Sequence, residues 1–91
     1  MNPWTPRTTE AACGVNTGAA SNFGSSRYVR LFNTAAVGTE HLVTLEESGG
    51  TDIGTFTLDG QQEAIIKKDP SDQIFAANAA ILGVGVTINS N

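Results

Sequence analysis

Side chains able to do chemistry are few in this sequence, and they are scattered. His41 is the single histidine, so any nucleophile that needs an imidazole base would have to use it. Neither a G-x-S-x-G elbow, a phosphate-binding glycine loop, nor a second histidine for a metal accompanies it. His41 follows Gly38-Thr39-Glu40 at the head of a strand-like run, where a polar side chain simply faces water. Glu46 and Glu47 are adjacent on the same run and point to opposite faces, the wrong disposition for two carboxylates that must flank one glycosidic bond. Asp69 and Asp72 enclose Pro70 and Ser71 without the alternating acidic pattern of a calcium loop, and read as a turn that Asp72 caps. Cys13 is the sole cysteine, which excludes an intrachain disulfide and leaves an inert small residue in a loop. These residues predict no catalytic site, no metal site and no cofactor, hence a protein that is not an enzyme.

The elements that carry them are strands. From residue 27 onward, short apolar-alternating runs are separated by turn residues, the pattern of an antiparallel sandwich or barrel. Residues 27–33 place Val29 and Leu31 on one face and Tyr28, Arg30 and Phe32 on the other, a second face too aromatic to be fully wet. Residues 41–47 turn Val43 and Leu45 inward, and Ser48-Gly49-Gly50 supplies a hairpin turn. Residues 53–58 follow with Phe56 and Leu58 on the core face, closed by Asp59-Gly60. Residues 62–68 form a fourth strand in which the inward phase of Ile65 and Ile66 is undecided, and Pro70 ends it. Ile74 and Phe75 lead into an alanine-rich stretch compatible with a helical turn or a bulged strand. The most regular strand is 82–88, with Leu82, Val84, Val86 and Ile88 expected on the core face and Gly83, Gly85 and Thr87 opposite. Glycine weakens a strand unless something must approach closely, so a partner is expected against that glycine face. The fold expected is all-β: a small antiparallel β-sandwich or barrel of about six strands.

Residues 1–26 differ in kind. They are small and polar, with apolar anchors only at Trp4, Val15 and Phe23, and read as an extended N-terminal arm attached to a β-sandwich domain at 27–91. Ordering such an arm costs about 1–2 kcal/mol of backbone entropy per residue, which contacts with its own domain or with neighbouring subunits would offset. Removing it leaves about 65 residues, a core that is marginal without partners. The formal charge of −4 includes no cationic run beyond Lys67-Lys68, which disfavours nucleic acid. No apolar stretch is long enough for a membrane-spanning helix or a secretory leader, so neither a membrane partner nor export is expected.

The order of Tyr28-Val-Arg-Leu-Phe-Asn-Thr34, His41-Leu-Val-Thr-Leu45, Ile53-Gly-Thr-Phe-Thr-Leu58 and Glu63-Ala-Ile-Ile-Lys-Lys-Asp-Pro-Ser-Asp72 resembles small virion structural proteins of tailed bacteriophages, strongest for marine and cyanobacterial phages. The resemblance covers roughly residues 27–88 and rests on strand-and-turn rhythm, not on a catalytic motif. It implies a β-sandwich or barrel that decorates or cements a capsid. Its partners would be the major capsid protein or other virion subunits, with copies of the chain forming a homo-oligomer within the virion after assembly in the host cytoplasm. A neck or tail component of the same particle is the nearest alternative, separated by copy number. A glycan-binding surface module is the other, using Tyr28 or Phe32 with Asn33 and Glu40. Under the leading expectation the protein-protein interface comprises Trp4, Val15, Phe23, Tyr28, Phe32, Gly83 and Gly85.

Overall fold

A computed structural model describes residues 4–88. Eight strands form two antiparallel sheets: β1 (Trp4–Pro6), β2 (Ala11–Ala12), β3 (Tyr28–Asn33), β4 (His41–Glu46), β5 (Asp52–Leu58), β6 (Glu63–Lys67), β7 (Gln73–Ala76) and β8 (Ile81–Ile88). The all-β sandwich expected from the alternation is therefore present, with two more strands than the sequence pattern gives. One sheet runs β1-β8-β3-β6, with β2 also on β8; the other runs β5-β4-β7. Val29, Leu31 and Ile81 from the first sheet pack with Val43, Leu58, Ile74 and Ala76 from the second, and this is the core.

The inward phases read for β3, β4 and β5 hold: Val29 and Leu31, Val43 and Leu45, Phe56 and Leu58 all join that core or pack against it. In β6 the undecided phase resolves to Ala64 and Ile66 inward. The 73–80 stretch is strand β7 followed by a turn in which Asn78 Oδ1 accepts from the Ala80 amide at 2.8 Å. The turn after β5 forms where Asp59-Gly60 predicts it, closed by the Gln62 amide on the Asp59 carbonyl at 3.2 Å.

Strand β8 corrects the reading of its faces. Its register sets Gly83 beside Leu31 and Gly85 beside Val29, so the glycine face looks into the core. Val84 pairs with Arg30, Leu82 with Phe32 and Val86 with Tyr28, so these apolar residues lie on the outer face. The inner face can be glycine because Phe23 and Ser26 occupy the space: a Cβ on Gly83 would sit 2.6 Å from the Phe23 ring, and one on Gly85 would collide with the Ser26 side chain.

The segment at 4–26 is correspondingly part of the domain and not an arm. Trp4–Pro6 and Ala11–Ala12 both pair with β8, and Cys13 and Phe23 belong to the core. Beyond β2 the chain crosses to the second sheet, where the Gly14 carbonyl accepts from the Ala76 amide at 2.9 Å and Ser21 exchanges backbone hydrogen bonds with Ile74. This crossing closes one side of the sandwich by hydrogen bonding, so 27–88 alone would leave β7 and β8 with bare edges and the core without Phe23.

Phe23, Gly24 and Ser25 take φ of 54°, 67° and 58°, three consecutive residues in the left-handed region. For residues with a Cβ this costs about 1–2 kcal/mol each. Local bonds hold it: the Phe23 amide donates to Ser21 Oγ, the Ser25 amide to Asn22 Oδ1, and Ser26 Oγ donates to the Phe23 carbonyl. The result aims a bulky ring at Gly83 from a stretch of sequence that shows no regular pattern.

Candidate functional site

The expected interface residues fall in three places. Trp4, Tyr28 and Phe32 lie together on the outer face of the first sheet, with Arg30 among them: its guanidinium carbon is 5.7 Å from the Trp4 ring centroid and 5.3 Å from that of Phe32. Its nitrogens reach Glu63 at 2.7 Å and Glu10 at 3.3 Å. These side chains and the cross-strand neighbours of β8 cover Val84 and Val86, which are 4% and 1% exposed although they face away from the core. Phe23, Gly83 and Gly85 lie in a second place, buried inside the sandwich against one another and Ser26. Val15 is in the third, half exposed on the crossing beside β7. The close approach predicted for the glycine face is thus made by the chain's own Phe23 and Ser26.

The titratable groups do not converge. His41 is half-buried at the start of β4, opposite Leu58. Glu46 is fully buried and holds structure together, accepting from Gln73 Nε2 at 2.8 Å and Thr17 Oγ1 at 3.3 Å, while Glu47 is exposed. Asp72 caps its turn as expected, its Oδ2 accepting from the Asp69 amide at 3.2 Å. Lys68 is buried and donates through Nζ to the Asp69 and Pro70 carbonyls; burial lowers its pKa, opposed by the charges of Asp72 and Asp69. Burial pushes the Cys13 thiol up to about 11, so it is protonated and unreactive at neutral pH. Among the described residues no three His, Cys, Asp or Glu side chains gather as a metal would require. The residues considered for a glycan also separate. Tyr28 and Phe32 face outward, whereas Asn33 points inward, donating to the Thr39 and Leu58 carbonyls and accepting from the Ala35 amide.

The surface that sequence reading missed belongs to the second sheet. β5 is its edge, paired among the described residues only with β4, and five of its seven residues are exposed. Its outward residues Ile53, Thr55 and Thr57 continue across β4 to Leu42, and Ile53 and Leu42 are about half exposed at 51% and 45%. β5 carries no Lys, Arg or Pro, the residues that usually block pairing at a sheet edge. The available signal was the absence of Lys, Arg and Pro along TDIGTFTL, where Asp52 is the single charge, set against Lys67 and Lys68 at the end of β6.

No family model matches the chain, and no curated protein or solved structure matches it either.

Proposed function

We propose that this chain is a non-enzymatic structural protein of a tailed-bacteriophage virion that decorates or cements the capsid by protein-protein contact. The observation that carries the adhesive role is the free edge of β5 beside Leu42 and Ile53, which has Asp52 at its start as its one charge and offers backbone groups flanked by apolar side chains. Addition of a strand from a neighbouring virion subunit satisfies those groups and covers those side chains. The scattered disposition of His41, Glu46 and Asp72 supports a role without catalysis. The virion setting rests on the resemblance of the four strand segments described above.

The test compares the native chain with Ile53→Lys and Thr55→Pro on particles lacking the protein, across a concentration series that exposes multivalent masking. Both positions are exposed, so the variants should fold; half-occupancy should require about tenfold more protein. Variants that saturate particles at the native concentration would remove β5 as the contact. Failure of the native chain to bind any such particle would remove the virion role itself.

A further inference from the structure

Beside the left-handed turn the chain forms a pocket of about 350 Å³, large enough for a small ligand. It opens where the end of β1, the start of β3 and the last part of β8 meet, and its cations are Arg7 and Arg27. Ser25, Tyr28 and Thr87 add hydroxyl-bearing side chains, and Pro70 is the accessible apolar residue of its lining, Val86 being only 1% exposed. No carboxylate side chain is among its lining. In a chain of formal charge −4 with five basic residues, two of the five line one small cavity. Lys67 and Lys68 adjoin it, through pairing of Lys67 with Tyr28 and of the Lys68 amide with the Arg27 carbonyl.

The two guanidiniums are held differently. Arg7 is exposed but tethered, its amide donating to the Gly85 carbonyl at 2.7 Å and its Nη1 to Ser26 Oγ at 2.9 Å. Arg27 is exposed and makes no side-chain hydrogen bond or ion pair among the described residues. Arg30, the remaining arginine, is neutralised by Glu63 and Glu10 on the sheet face. Asp69 and Asp72, on either side of the lining residue Pro70 in sequence, act electrostatically on Lys68, whose amide donates to the Arg27 carbonyl. One anchored and one free guanidinium beside hydroxyl donors match an oxyanion that takes several charge-assisted hydrogen bonds at once.

We infer that this pocket binds a phosphate monoester, with the phosphoryl oxygens between Arg7 and Arg27 and the Ser25 hydroxyl, and the esterified ring over Tyr28 and Pro70. Doubly charged phosphate suits two guanidiniums better than a carboxylate does, and a floor of Pro70 and the Tyr28 ring favours a compact body over a bare ion. The strained φ of Ser25 has a use here, since it places that residue at the pocket while Phe23 enters the core.

The experiment titrates the full chain at constant ionic strength with inorganic phosphate, a hexose phosphate, the unphosphorylated hexose and chloride, following backbone amides and arginine Nε–H groups by NMR. Hexose phosphate should bind saturably with a Kd of about 1 mM or tighter and shift Arg7, Ser25 and Arg27. Arg27→Gln should weaken it about tenfold with the fold intact, Arg7→Lys less, and Arg30→Gln not at all. Inorganic phosphate that binds more weakly at the same residues supports the division into head and floor. Equal binding of the neutral hexose, or shifts that chloride reproduces, would overturn the proposal, as would Arg30→Gln weakening binding as much as Arg27→Gln.

Discussion

The ring of Phe23 lies against the bare backbone of Gly83, so close that a Cβ on that glycine would stand 2.6 Å from Cε1 and Cζ. The two residues act as one side chain: glycine on β8 gives up the volume that phenylalanine, delivered by a left-handed turn, supplies. Phe23→Ala should therefore open a cavity in the core and cost about 3–5 kcal/mol, read as a fall in the urea midpoint. Gly83→Val should be comparably damaging through overpacking. If the double variant Phe23→Ala with Gly83→Val recovers much of the loss, the two positions share the volume; additive losses would show that they do not.

The same relationship predicts what truncation does. Deleting residues 1–26 removes Phe23 and Cys13 from the core and strips the paired edges of β7 and β8. The remaining chain should lose cooperative thermal unfolding and dispersed amide resonances. A cooperatively melting truncated protein would restore the view of that segment as a separable arm.

How far the sequence was legible depended on where each strand's volume came from. β4 and β5 were readable because Val43, Leu45, Phe56 and Leu58 supply their own apolar face, and period-2 alternation reports that directly. β8 was misread because alternation assigns the larger residues to the core, whereas Phe23 fills the space above Gly83 from another part of the chain. The paired glycines were the usable clue. β1 and β2, three and two residues long, carry no periodic signal, since β8 and not their own composition makes them strands. Residues on the aromatic face of β3 were correctly seen as partly dry, but the cover is Arg30 and its carboxylates within the chain. Gathering Arg7 and Arg27 at one pocket requires β1 and β3 to reach β8 from opposite sides, which no local pattern specifies.

Because Val84 stands directly opposite Arg30 on the outer face, the sign of a charge placed there should matter. Val84→Asp sets a carboxylate beside a guanidinium, while Val84→Lys sets two cations side by side in a covered site. Both should destabilise, with the lysine variant worse by about 1 kcal/mol, and the gap should shrink in high salt. Equal losses at all salt concentrations would place residue 84 away from Arg30.

Asn33 joins the end of β3 to the 34–40 loop and to β5, with its amide nitrogen donating to the Thr39 and Leu58 carbonyls at 3.0 and 2.9 Å. It is fully buried, so Asn33→Leu leaves those carbonyls and the Ala35 amide without their partner. A loss of about 2–4 kcal/mol in denaturant midpoint stability follows. Hydrogen exchange should accelerate first at residues 35–40; uniform acceleration across the sandwich would show that Asn33 supports the whole core and not that loop.

Cys13 supplies a prediction in pH. Its thiol is 3% exposed and burial raises its pKa from 9.0 to about 11. The folded state therefore keeps the proton in a range where the unfolded chain releases it. Stability attached to this group is fully present below pH 9 and is lost as pH rises through about 11. Over the whole window the loss approaches about 3 kcal/mol at roughly 1.4 kcal/mol per pKa unit. Lys68 has the opposite sign: burial lowers its pKa, the unfolded chain holds the extra proton, and stability from that group rises with pH below 10.5. Comparing urea midpoints of the native chain and Cys13→Ala between pH 8 and about 11 cancels Lys68 and isolates the thiol. The Cys13→Ala curve should fall less steeply above pH 9, and a neutral thiol reagent at pH 8 should label the native protein only in denaturant. Parallel stability curves, or rapid labelling of the folded chain, would place Cys13 outside the core.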